Sequence, residues 1–118
     1  MEASKGNADT ERSREGFRLA LVSHELRADL RRVQLSLALE GVQGQVNAEV
    51  HLLDPDGVQQ AGTLILGLMN PRFTITLHLR QPARAGDYRC CLVLSDEHNQ
   101  AMGKVEQVFR LLPHERSD

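Results

Sequence analysis

Residues 72–91 constrain the fold more than any other stretch of the chain. Phe73, Ile75, Leu77 and Leu79 alternate with Thr74, Thr76 and His78, the period of a strand with one face buried. Pro82 and Gly86 then interrupt the pattern. Proline has no N–H to give a sheet, and glycine accepts backbone angles that other residues avoid. Gly86-Asp87-Tyr88-Arg89-Cys90 opens a second strand directly afterwards. A chain that turns this sharply between two apolar-faced strands must bury them against each other or against further strands.

The flanking sequence supplies those strands. Phe17, Leu19 and Leu21 alternate and predict a first strand to about Ser23. Residues 24–40 admit two readings. Leu26, Leu30, Val33 and Leu37 fit a helical stripe that Ser23 could cap, whereas Val33, Leu35, Leu37 and Leu39 alternate without a break. The alternation favours a strand at 32–40, with 24–31 as a loop holding at most one helical turn. Gly41 and Gly44 bracket an expected hairpin turn, and Val46, Ala48, Val50 and Leu52 mark the next strand. Asp54-Pro55-Asp56-Gly57 is a strong turn signal. Thr63–Met69 is apolar on both faces and reads as a short covered strand ended by Asn70-Pro71. Strands at 72–80 and 87–95 follow, then a polar loop at 96–100. For 103–112 a strand with Val105, Phe109 and Leu111 inward competes with a helix, since Val105, Val108, Phe109 and Leu112 also have helical spacing. Seven short strands separated by turns make a two-sheet sandwich the economical solution. Its expected core includes Leu37, Val50, Leu64, Leu66, Leu77, Tyr88 and Leu92.

The passage from Arg72 to Cys91 resembles the crossing between the fifth and sixth strands of immunoglobulin-like domains. There a tyrosine stands two residues before a buried cysteine and braces the corner between the sheets. The resemblance implies an all-β, seven-stranded, immunoglobulin-like sandwich over 17–112, with Tyr88 as a structural corner residue whose hydroxyl bonds backbone just upstream. It also implies a grouping: strands 17–23, 32–40, 63–69 and 72–80 in one sheet, and 46–52, 87–95 and 103–112 in the other. Secreted members pair the sixth-strand cysteine with one on the second strand, but Val33–Glu40 has no cysteine. Cys90 and Cys91 are adjacent, so on a strand they face opposite ways. Two thiols without a disulfide are expected, either in a reducing compartment or in a sandwich relative that never used the bridge.

Composition narrows the function. A net charge of −2, a pI near 6.2 and 3 % aromatic residues argue against nucleic-acid binding, which needs a basic surface or stacking platforms. No apolar run approaches the roughly 20 residues of a membrane helix. Residues 1–16 are polar and mixed in charge, and read as a disordered tail or cloning remnant without a secretory signal. With Met1 as the native start, the unpaired thiols point to the cytoplasm. If Met1 comes from cloning, a periplasmic or other extracytoplasmic domain of a longer protein stays open.

No constellation of catalytic residues is present. Ser95, Asp96 and His98 lie close together but lack a nucleophile elbow, and no glycine-rich phosphate loop occurs. A non-catalytic protein-interaction or assembly module with no cofactor is therefore expected. The expected partner is another protein or a second copy of the chain. Facing outward on the 46–52, 87–95 and 103–112 sheet would be His51, Arg89, Cys91, Val93, Val108 and Arg110, an apolar centre inside a charged rim. The apolar strand 63–69 is a second candidate surface. The alternative is a metal or small-ligand carrier. Ser95-Asp96-Glu97-His98 followed by a last strand resembles the end of small copper-carrying sandwiches, although none of the histidines has the close spacing of a zinc site. Arg27, Arg31 and Arg32 form a small basic cluster that could hold an anion.

Overall fold

The structure, a computed structural model, describes residues 17–113; the expected tail at 1–16 lies outside them. Seven strands follow one another: β1 (Arg18–Leu26), β2 (Arg32–Glu40), β3 (Val46–Leu53), β4 (Gln59–Leu68), β5 (Arg72–His78), β6 (Gly86–Ser95) and β7 (Ala101–Leu111). They form two antiparallel sheets, of order β1-β2-β5 and β4-β3-β6-β7. Both cysteines are free thiols. Among the described residues, no helix is long and apolar enough to cross a membrane.

The helical readings give way to strands at both ambiguous places. β1 continues to Leu26 and pairs with β2 through to Leu26↔Val33, with a bulge between Leu21 and Ser23 that leaves Val22 exposed. The turn that follows is closed by backbone bonds from Leu30 N–H to Arg27 C=O and from Arg27 N–H to Arg32 C=O. β7 pairs with β6 from Gly86↔Leu111 to Ser95↔Ala101. In both places the local pattern tolerated either element, and the long ladder of hydrogen bonds to a neighbouring strand decided.

Two expectations about connectivity are corrected. Gly41 and Gly44 do not form a hairpin; both have positive φ, at 88° and 81°, and they carry the chain from β2 in one sheet to β3 in the other. The fourth strand does not join β5. It pairs with β3, from Leu53↔Gln59 to Val46↔Leu68. The reason is local: Asp54 N–H donates to Val58 C=O, and Gly57 N–H to Asp54 C=O. A turn this tight joins strands that are hydrogen-bonded neighbours.

The core lies between the sheets. Leu19, Val33, Leu35 and Leu37 from the three-stranded sheet meet Ala48, Val50, Leu52, Leu92, Leu94 and Val105 from the four-stranded sheet, all buried in one cluster. Leu64 and Leu66 do not belong to it; they are 59 % and 70 % exposed. Their strand lies at the sheet's outer edge.

Candidate functional site

The corner between β5 and β6 is built around Tyr88. Its ring is buried and stacks 6.2 Å from that of Phe109, its pairing partner on β7. Its hydroxyl oxygen accepts the Arg84 N–H at 3.1 Å, so the phenol satisfies a backbone donor in a loop that has no strand to bond. Removing that oxygen with Tyr88→Phe leaves the donor unpaired. The expected loss is about 1–2 kcal/mol in a urea unfolding experiment.

The same corner is locked to the β3–β4 turn. Asp54, 8 % exposed, accepts the N–H groups of Asp56 and Val58 on Oδ1, each at 2.9 Å. Its Oδ2 accepts Gln60 Nε2 at 3.1 Å and lies 3.3 Å from Arg84 Nη2. Arg84 also bonds Asp56 at 2.7 Å. Gly86, at φ 141°, passes so close to Pro55 that a Cβ there would stand 2.6 Å from the ring. Tyr88, Arg84 and Asp54 therefore form a structural joint.

The outer face of the four-stranded sheet holds the residues expected to make an interaction patch. Across it run the register rows Leu53–Arg89–Val108 and His51–Cys91–Glu106. Glu106 sits at its centre. It takes Arg89 at 2.7 Å and Lys104 at 3.4 Å, and accepts the Cys91 Sγ–H at 3.4 Å. Burial works to raise the Glu106 carboxyl, but the thiol and the two cations outweigh it and hold it below the usual range. Burial, helped by that carboxylate, pushes the Cys91 thiol up to about 11, and burial pushes Cys90 up to about 12. Both remain protonated and unreactive near neutrality.

The expected patch is more covered than strand parity alone implies. Cys91 is 6 % exposed, and Val93 and Val108 are half-buried, because long charged neighbours fold over a flat sheet and cover its small side chains. Arg89 is tied to Glu106. Arg110 is exposed and lies 3.7 Å from Asp87, and His51 lies 3.2 Å from Glu49. The six residues share one face, but they compose a closed ionic surface.

The exposed apolar surface is next to it, along β4. Leu64, Leu66 and, just past the strand, Met69 stand 59 %, 70 % and 75 % exposed. Residues 57–71 carry no charge. Gln60 C=O accepts Arg80 N–H at 2.9 Å, so it points away from β3. Past the bulge at Gln60, Val50 C=O points at β4, 3.3 Å from where a Gly62 Cβ would stand. Val50 and its partner Thr63 therefore form a hydrogen-bonded pair, and Gly62 and Leu64 turn their backbone groups the other way, where β4 has no strand beside it. A shallow depression of about 530 Å³ opens over Gly62, bounded by Glu49, His51, Gln59 and Leu64. Leu64 and Leu66, expected inside, stand in water. The Asp54–Gly57 turn, a strong signal in the sequence, ties this strand to β3, whereas the resemblance grouped it with β5.

The other candidates resolve into local pairs. Arg27 bonds Gln34, Arg31 bonds Arg80 C=O, and Arg32 bonds Asp29. His24 packs 5.1 Å from the Phe109 ring, and His98 lies 3.6 Å from Glu97. Among the described residues no three His, Cys, Asp or Glu side chains converge to hold a metal ion. A scan against protein-family models and a search of curated proteins each returned no match.

Proposed function

We propose that this chain is an immunoglobulin-like sandwich acting as a non-catalytic protein-interaction or assembly module, with the outer edge of β4 as its working surface. The immunoglobulin-like assignment is supported by the buried corner tyrosine bonded to Arg84 and by sheets that split the chain as β1-β2-β5 and β4-β3-β6-β7. The interaction reading rests on a single observation: an edge strand with no charge and with Leu64 and Leu66 largely in water. Folded proteins usually protect such edges with charge, proline or a covering element. An unprotected one is the template that strand addition uses, where main-chain bonds give affinity and alternate side chains give selectivity.

Leu66→Lys tests it. The side chain is exposed, so folding by far-UV circular dichroism should be unchanged. Immobilised wild-type chain should retain a partner from lysate of the source cells, and the variant should lose it. Equal retention by both would remove β4 as the working surface.

A further inference from the structure

We infer that the occupant of the β4 edge is a second copy of this chain, paired antiparallel about a twofold axis through Leu64, so that two four-stranded sheets join into one. This rests on β4 being the working surface and names what it binds.

Three observations converge on self-pairing. The first is charge. The other edge strands carry Arg18, His24 and Glu25 (β1), Arg72 and His78 (β5), and Lys104, Glu106 and Arg110 (β7). In an isologous contact residues near the axis meet their own copies, so charge there is self-repelling. β4 has none. Its uncharged run is bounded by Asp56, in the turn before β4, and Arg72, the first residue of β5, at equal distances from Leu64 in sequence. Antiparallel pairing about Leu64 therefore sends the acidic end of each copy toward the basic end of the other. Asp54 and Asp56 share one arginine, Arg84, and Arg72 is exposed without an ion pair to a described residue.

The second is backbone register. Leu64 turns its N–H and C=O to the free edge, as the hydrogen-bonded pair Val50↔Thr63 fixes by alternation. A residue on the axis with that orientation forms a hydrogen-bonded pair with its own copy.

The third is shape. The same register sets Leu66 of one copy opposite Gly62 of the other. Gly62 is where the outer face has its depression, between His51 and Leu64. The most exposed leucine meets a position with no side chain of its own, twice by symmetry. The Gln59 amide, 2.8 Å from where a Gly62 Cβ would stand, is the far end of a flexible side chain that swings aside to admit it.

The test uses the whole chain. Sedimentation velocity over a micromolar to millimolar range should show a concentration-dependent dimer. Leu64→Lys, which places two ammonium groups at the axis, should weaken it by about tenfold or more, with an unchanged melting temperature at a concentration where the wild type is monomeric. Leu64→Cys should form a covalent dimer on incubation with oxidised glutathione, since a hydrogen-bonded antiparallel pair sets Cα atoms about 5.5 Å apart, within disulfide reach. Val22→Cys, equally exposed on β1, should not. A wild-type monomer throughout that range, a dimer indifferent to Leu64→Lys, or cross-linking at Val22→Cys alone would each overturn self-pairing. A monomer whose lysate partner is still lost with Leu66→Lys would overturn only this inference and leave the interaction module standing.

Discussion

Leu92→Ala is expected to lower the unfolding free energy by about 2–5 kcal/mol, the range for a leucine emptied from a packed core. Leu92 is 0 % exposed. It sits between Val50 of β3 and Val105 of β7 in register and belongs to the cluster that includes Leu35 and Leu37 from the facing sheet. Strands on both sides hold the backbone, so the cavity cannot collapse readily. Total stability of a domain this size is about 5–15 kcal/mol, so the loss removes a large share of it. The midpoint of urea unfolding should fall with little change in slope. The control is Leu64→Ala, the same substitution at a position 59 % exposed. It should change stability by about 0.5 kcal/mol or less. Equal losses at both positions would contradict the placement of β4 at an open edge.

Asp54→Asn is expected to remove roughly 2–3 kcal/mol at neutral pH, because bonds to a charged acceptor are worth more than neutral ones and the amide cannot accept from both Gln60 and Arg84. It should also alter the acid limb of the stability curve. Burial tends to raise the Asp54 carboxyl, but the bonds from Val58, Asp56, Gln60 and Arg84 together hold it below its ordinary value of 3.8. A group depressed in the folded state contributes its stability in full above its unfolded value and loses it as pH falls through the folded one. The wild type should therefore lose this contribution below about pH 4, while the variant, which never had it, should show a shallower decline. Asp29 and Asp96 are also held below their ordinary values, chiefly by backbone N–H bonds in their turns, so the variant should keep some acid sensitivity. Unfolding midpoints between about pH 2 and 7 measure the difference. Parallel curves for the two proteins would remove Asp54 as the joint between the β3–β4 turn and the corner.

How much was legible in advance differs from strand to strand. β2 runs over the residues its alternation marked, Arg32–Glu40, because each odd position is apolar and buries while Gln34 and Ser36 between them stay half-buried and the end residues Arg32 and Glu40 are exposed. The Tyr88 corner was legible through a resemblance confined to a few residues. At Cys91 the outer face is more covered than the sequence indicates. Strand parity points it outward, yet Glu106, Arg89 and Lys104 close over it. Side chains from two strands produce that closure, and no single strand's pattern contains it.

The alternation of apolar residues, together with the turn chemistry at Asp54–Gly57 and Pro82–Gly86, is local information. By itself the chain determined a mostly β arrangement and which face of most strands meets the core, since the two-residue period of a strand is a property of the backbone alone; at 103–112 it tolerated a helix as well, and pairing with β6 decided. The fate of Thr63–Met69 was not determined that way, because a strand apolar on both sides has no alternation to orient it. Only the tertiary structure decided that it ends its sheet with Leu64 and Leu66 in water, since whether a face is covered depends on which strands lie beside and above it, a relation between distant segments.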